Sequence, residues 1–151
     1  MKTNKTKVAV VGTALSGAAV VALLGGAGPA VAYDSYDSGG LHLDATAQSP
    51  ARLVARGAAI DVPVDVECNA TQPASLSVSV TERVGKQIAT GGGFAQEVAC
   101  TGGHQDILIR VTAGPGKAFA KGTAVATAQI YGCNDTTCGS ESRTDTIVIR
   151  K

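Results

Sequence analysis

The sequence predicts an all-β domain, an antiparallel β-sandwich of seven or eight short strands stapled by disulfides. Apolar and polar residues alternate in several stretches, as in "ASLSVSV" at 74–80, and a period of two is typical of half-buried strands. Gly-rich segments separate these stretches and mark turns. The 151 residues include four Cys, only five Phe and Tyr, and no Trp. The core must therefore be aliphatic, and covalent staples add much to its stability.

The first 32 residues have the three-part layout of a secretory signal peptide. Three lysines precede an uncharged apolar stretch at 8–28, and Ala30-Val31-Ala32 fits the small-x-small pattern of a cleavage site. The alternative is an uncleaved anchor, because the apolar stretch is about long enough to span a bilayer. We expect cleavage after Ala32 and a secreted, extracellular product.

Cleavage would leave a flexible leader at 33–40, "YDSYDSGG", and one β-domain at 41–151. This mature part has ten Lys and Arg against twelve Asp and Glu, a net charge of −2, and its basic residues are scattered singly. Nucleic-acid binding needs a clustered basic footprint, so we exclude that class of partner. We expect a monomer that does not bind a membrane after cleavage.

The first four strands are predicted at 41–47, 51–56, 60–68 and 75–84. The third contains "IDVPVDVEC", in which apolar residues alternate with Asp61, Pro63, Asp65 and Glu67. Because proline cannot donate to a β-ladder, Pro63 predicts an edge strand or a bulge. The fourth strand places three serines on one face and Leu76 among the apolar residues of the other.

The last four strands are predicted at 94–100, 105–112, 123–132 and 143–150. The alternation is clear in "QDILIRVTA", "TAVATAQIYG" and "TDTIVIRK". Before and between these strands lie "TGGGFAQ" and "TGGHQD", which we interpret as hairpin turns. Seven or eight strands with such spacing predict an antiparallel sandwich of Ig-like type, and a small closed barrel is the alternative.

The four cysteines, Cys68, Cys100, Cys133 and Cys138, predict two disulfides, because an even count in a small exported domain is typical of a disulfide framework. The C-x4-C spacing is neither the C-x-x-C of a redox site nor that of a zinc site.

Sequence leaves three connectivities open. Closing the shorter loop favours Cys133–Cys138 and leaves Cys68–Cys100. However, Tyr131 and Cys133 have the Y-x-C spacing of an Ig strand F, which keeps a Cys68–Cys133 bridge open.

Four stretches resemble a family of small secreted actinobacterial proteins of unknown function: "ARLVARGAAIDVPVDVEC", "VSVTERVG", "VACTGGHQDILIRV" and "KGTAVATAQIYGCNDTTC". This resemblance spans about residues 40–151 and implies a secreted β-sandwich with its four cysteines paired. More distantly, the Cys133–Cys138 loop resembles that of neocarzinostatin-type apoproteins, which are Ig-like sandwiches with two disulfides. In that family the first cysteine pair is much closer in sequence than Cys68 and Cys100.

Candidate chemistry is sparse. Two H-x-D pairs, His42/Asp44 and His104/Asp106, could each place two ligands on one strand face, but solvent-facing polar positions are the simpler interpretation. No nucleophile elbow, P-loop lysine or cofactor motif occurs. We therefore predict no enzyme activity, no cofactor, no metal and no catalytic residue.

These observations predict a secreted, non-catalytic module that binds an extracellular or cell-wall ligand. The candidate binding loop lies between the close cysteines and consists of Asn134, Asp135, Thr136 and Thr137. The alternative functions are an exported protease inhibitor, which would use that rigid loop, and a small-molecule-binding apoprotein.

Overall fold

A computed structural model of the chain describes residues 40–151, so the predicted signal peptide and residues 33–39 of the leader lie outside the described part. The eight predicted strands are confirmed in number and order. A tight turn, Ala55–Gly57, separates the second strand from the third. The strands are β1 (Leu43–Ala47), β2 (Ala51–Val54), β3 (Ala59–Cys68), β4 (Ala74–Val84), β5 (Gln87–Val98), β6 (His104–Ala113), β7 (Gly122–Cys133) and β8 (Cys138–Arg150).

The predicted antiparallel sandwich is wrong, because the sheet closes on itself. Seven strands form a ring in the order β3-β2-β8-β7-β4-β5-β6 and back to β3, while β1 pairs with β3 alone. Every pairing is antiparallel except that of β2 with β8, so this is a mixed β-barrel. The closed barrel that the sequence left as the alternative is the fold observed.

The closure follows from how β3 shares its edges. On one side β3 pairs with β6 along nearly its whole length. On the other side β1 covers Val64 to Cys68, and β2 covers Ala59 to Asp61. β1 and β2 follow each other in the same direction along this edge of β3, and β2 also pairs with β8. Because β3 pairs with β6 on one edge and with β2 on the other, and β2 pairs with β8, the sheet closes into a barrel, whereas the two sheets of a sandwich would stay separate.

Pro63 lies between the part of β3 that pairs with β1 and the part that pairs with β2. Its strand is paired on both sides, so the predicted edge strand is wrong, but at Pro63 itself the pairing on one side is interrupted between β1 and β2. Its carbonyl accepts a hydrogen bond from the Gln48 amide at 2.8 Å, just beyond the end of β1. In a strand, the N and O of one residue point to the same side. The missing N–H therefore faces the gap between β1 and β2, where no ladder partner is needed.

The glycines of "TGGGFAQ" do not form the predicted hairpin turn; they lie within β5. Strands β5 and β6 pair only at Gly91/Ala113 and Gly92/Thr112, where they close the barrel. A Cβ at Gly91 would lie 2.4 Å from the Thr112 carbonyl oxygen, and β5 can approach β6 only because that atom is absent. By contrast, Gly102-Gly103 does lie in the connection from β5 to β6.

The core is aliphatic, as the composition predicts. Small and branched side chains fill the barrel, with Ala124, Ala126 and Ala128 along β7 and valines along β3 and β4. Phe119, from the connection before β7, is the one buried aromatic residue among residues 40–151, and its ring lies against Gly91.

Two disulfides join Cys68 to Cys100 and Cys133 to Cys138. The Ig-type Cys68–Cys133 bridge is not formed, because Cys133 and Cys138 lie opposite each other at the end of the β7–β8 hairpin. Within residues 40–151, no helix is long and apolar enough to cross a membrane.

Candidate functional site

One side of the barrel presents an almost uncharged surface made by β5, β4, β7 and β8. We call it the hydroxyl face, because more than half of its outward-pointing side chains are Ser or Thr. All its residues are exposed or partly exposed, and its only charged residues are Arg83 and Arg150. It consists of Ser75, Ser77, Ser79, Thr81, Arg83, Ile88, Thr90, Gly92, Phe94, Gln96, Thr123, Val125, Thr127, Gln129, Tyr131, Ser140, Ser142, Thr144, Thr146, Val148 and Arg150.

Two aromatic rings stand on this face. Residues 40–151 contain three aromatic side chains, and two of them, Phe94 and Tyr131, are 72% and 50% exposed. Exposed aliphatic side chains that are scattered singly are normal. In a domain with so few aromatic residues, however, the exposure of two aromatic rings on the same face calls for an explanation. Both rings line one groove of about 370 Å³. A second depression of about 430 Å³ continues past Phe94 along β4 and β7.

The polar side chains between the rings have free hydrogen-bonding capacity. In the part of the chain that the structure describes, the side chains of Ser75, Ser77, Gln96 and Gln129 make no hydrogen bond to another residue. A glutamine amide offers two donors and an acceptor, and a serine hydroxyl offers both roles. The groove thus combines two ring faces with polar groups that a ligand can use.

The short disulfide supports one of the rings. Tyr131 lies two residues before Cys133, and its hydroxyl oxygen is 3.5 Å from the Cys133 sulfur. Across the sheet, Tyr131 is flanked by Ser75 on β4 and Ser140 on β8. The bridge closes the hairpin beside this ring and so restricts where the ring can move.

The loop that was predicted from sequence to bind a ligand, Asn134 to Thr137, is held by hydrogen bonds between its own residues. The Asn134 Oδ1 accepts hydrogen bonds from the backbone amides of Thr136 and Thr137 at 3.0 and 2.8 Å, and from the Thr136 hydroxyl at 3.1 Å. Asp135 accepts another from Thr71 at 2.9 Å. Several of its polar groups are thus engaged within the protein, and its role in binding stays a prediction.

The opposite side of the barrel, formed by β1, β3 and β6, is charged. His104 lies between two carboxylates of β3, with Nδ1 3.1 Å from Asp65 and Nε2 3.3 Å from Glu67. His42 approaches Glu67 at 3.9 Å. Each predicted H-x-D histidine thus pairs with β3 and not with its own Asp44 or Asp106. Among the described residues, no group of three or more His, Cys, Asp or Glu side chains is arranged to hold a metal ion.

A second charged cluster on that side is centred on Asp61. Its carboxylate, 2% exposed, accepts hydrogen bonds from Arg110 at 2.8 and 3.2 Å and from Arg52 at 2.9 Å. The Arg110 hydrogen bond is the main cause that lowers the pKa of Asp61, against the opposing effect of burial, and the Arg52 hydrogen bond lowers it further. The two sides of the barrel therefore differ sharply: one is ionic, and the other is neutral with two rings.

Sequence reasoning missed the hydroxyl face as a site. It noted Tyr131 only for its spacing to Cys133, and it placed Phe94 at the start of a strand without asking which way the side chain points. The serine alternation of β4 already marked the outward positions, but only the register of β5 and β7 with β4 brings the two rings to one groove.

The chain matches no protein-family model and no curated protein. Among solved structures it is similar to AggA, the major subunit of aggregative adherence fimbriae type I from Escherichia coli. The identity is 15%, the TM-score is 0.41, and the alignment covers 73% of this chain and 94% of that one. This likeness is too distant to transfer a function, and the two sequence resemblances stay predictions.

Proposed function

We propose that the protein is an exported, non-catalytic binding module, and that the hydroxyl face is its binding surface. The observation that carries this proposal is the placement of Phe94 and Tyr131. A chain that has only three aromatic residues in its described part exposes two of them beside one groove and lines that groove with unpaired polar side chains. Exposed rings with convergent polar groups are typical of binding sites.

Export is supported by the N-terminal signal pattern and by the two disulfides, which persist in oxidising compartments. A rigid barrel also suits a surface that must be held in one shape. The four strands of the hydroxyl face are joined by continuous ladders from β5 through β4 and β7 to β8. Its side chains therefore stand on a scaffold and not on loops.

The test is attachment of the oxidised protein, produced from the full chain, to intact bacterial cells and to insoluble extracellular polymers. Depletion of labelled protein from the supernatant measures binding. We expect the double variant Phe94→Ala/Tyr131→Ala to lose attachment, and the variant Leu108→Ala to keep it. Leu108 is a matched control because it is 62% exposed and lies on the charged side. Equal attachment of the double variant and the wild type would contradict the proposal.

A further inference from the structure

We infer that the ligand of the hydroxyl face is a neutral polysaccharide chain, which stacks sugar rings on Phe94 and Tyr131. This inference rests on the proposed function and names its ligand class. Three properties of the face lead to it: the distance between the rings, the absence of charged side chains from the groove, and the pairing of the backbone in the middle of the face.

The two rings are far enough apart to contact different sugar units. Phe94 on β5 is level with Gln129 on β7 through Ser77 of the intervening β4, and Tyr131 lies two residues further along β7. Strand spacing and rise place the two Cα atoms about 12 Å apart. A pyranose presents C–H groups on its faces and hydroxyls at its rim. The apolar faces can stack on the aromatic rings, while Ser77 and Gln129 between them can bond the rim hydroxyls.

The charge distribution selects a neutral polymer. The two charged residues of the hydroxyl face lie far from Phe94. Arg150 is the last residue of β8, and Arg83 pairs in register with Ile88 at the far end of β5 and donates to the Gly85 carbonyl at 3.3 Å. No charged side chain lines either depression of the groove. An anionic polymer would lose hydration without gaining a cation, whereas hydroxyl and amide groups pair well with other hydroxyls.

The backbone pairing argues against a peptide that adds a strand across the middle of the face. Strands β4 and β7 are paired on both sides, so neither has a free edge to which an extended peptide could add a strand. Recognition over β4 and β7, in the middle of the face, must therefore use side chains. The groove is also open along its length, because a second depression continues from the first and shares Ser77, Phe94 and Gln129 with it. Two adjoining depressions of this kind can accommodate a polysaccharide chain that extends across the face.

The test is affinity electrophoresis of the oxidised full chain in gels that contain one soluble polysaccharide each. The neutral probes are β-1,3-glucan, xylan, galactomannan, hydroxyethyl cellulose and glycol chitin, and the charged probes are polygalacturonate and heparin. We expect at least one neutral polymer to retard the protein and neither charged polymer to do so. Loss of both rings should weaken binding about tenfold or more, and loss of the Gln129 side chain should weaken it by a smaller factor.

The variants separate this inference from the proposed function. Leu108→Ala should be retarded like the wild type, and unchanged thermal melts establish that every variant is folded. Retardation by a neutral polymer that Phe94→Ala/Tyr131→Ala abolishes supports the inference. If these substitutions abolish attachment to cells while no neutral polymer binds, the face is a binding surface and the ligand class is wrong. A wild type retarded only by charged polymers, or a double variant retarded normally, would overturn it as well.

Discussion

Position 93 shows at the scale of one residue why the barrel can close. A Cβ at Gly93 would lie 2.2 Å from the Arg110 carbonyl oxygen on β6, whereas a Cβ at the adjacent Gly92 would meet nothing nearer than 3.9 Å. The first contact is backbone, which cannot move aside as a side chain could. The two neighbouring glycines therefore have different roles.

We predict that Gly93→Ala destabilises the protein by about 1–3 kcal/mol, the usual cost of forcing atoms into a packed site. Gly92→Ala is the matched control, because the added methyl group points outward. It should be neutral or slightly stabilising, since alanine lowers the entropy of the unfolded chain. Urea denaturation of the two variants measures the difference. Equal losses would mean that β5 and β6 are not in close contact at Gly93.

Asp61 provides a prediction about pH. Its folded pKa lies below the ordinary value of 3.8 because Arg110 and Arg52 donate to the carboxylate. The stabilisation is therefore present above that ordinary value and is lost as pH falls through the folded pKa. Both guanidinium groups are mostly exposed, so solvent screens the interaction and limits its size.

We expect Arg110→Gln to lower the urea midpoint at pH 7 and to lose this deficit progressively as pH falls below 3.8. In strong acid Asp61 is protonated in the folded and unfolded states alike, so the cluster no longer contributes. Arg143→Gln is the control, since the Arg143 pairs with Asp44 and Asp145 are longer, at 3.8 and 3.7 Å. A deficit for Arg110→Gln that does not change with pH would exclude the ionic explanation.

At the scale of elements, the two disulfides act on different connections. Cys68–Cys100 joins the end of β3 to the segment between β5 and β6, at the end of β6 opposite to the two residue pairs that join β5 and β6. Cys133–Cys138 closes a hairpin whose strands already pair along twelve positions. The first bridge therefore ties β3 to the chain just after the end of β5, where β5 pairs with β4 alone, and the second closes a hairpin that its own ladder already holds.

We predict that Cys68→Ser/Cys100→Ser fails to fold or melts far lower than Cys133→Ser/Cys138→Ser. On the chain-entropy model, the longer loop contributes about 4 kcal/mol and the shorter one about 2 kcal/mol. Thermal melts under oxidising conditions compare them. If Cys133→Ser/Cys138→Ser is instead the variant that does not fold, the end of the β7–β8 hairpin and its contacts with Thr71 contribute more to stability than the chain-entropy model predicts.

The strands show which part of the fold could be predicted from sequence. β3, β4 and β7 were predicted within one residue of their observed bounds, because period-two alternation is a local property that each strand carries in its own residues. β5 was predicted to begin at 94 but begins at Gln87, since three glycines resemble a turn when their neighbours in space are unknown. Their actual role depends on β6, which follows later in the chain.

At the scale of the whole molecule, the barrel has two narrow seams. β5/β6 and β2/β8 are each joined by two residue pairs, whereas β4/β7 has eight. Local openings cost less where fewer backbone hydrogen bonds must break. We predict that backbone amides at the two seams exchange with solvent faster than those between β4 and β7. Native-state hydrogen exchange followed by NMR measures this, and equal protection throughout would contradict it.

The mature protein provides a prediction about export. We expect the product from the medium to begin at Tyr33, as the small-x-small pattern before it indicates. Its intact mass should be about 4 Da below the fully reduced value, because each disulfide removes two hydrogens. Mass spectrometry with and without reduction measures both features. A retained N-terminal segment would favour the anchor alternative.

The sequence by itself predicted the strands with clear alternation and their outward side chains, the aliphatic core, and the presence of disulfides, because alternation and composition are properties of short segments. Only the tertiary structure decided that the sheet closes and that Phe94 and Tyr131 share a groove. Both outcomes depend on register between strands that are distant in sequence. That register is fixed by β1 and β2 sharing one edge of β3 and by glycines that let β5 meet β6, and no single strand contains this information.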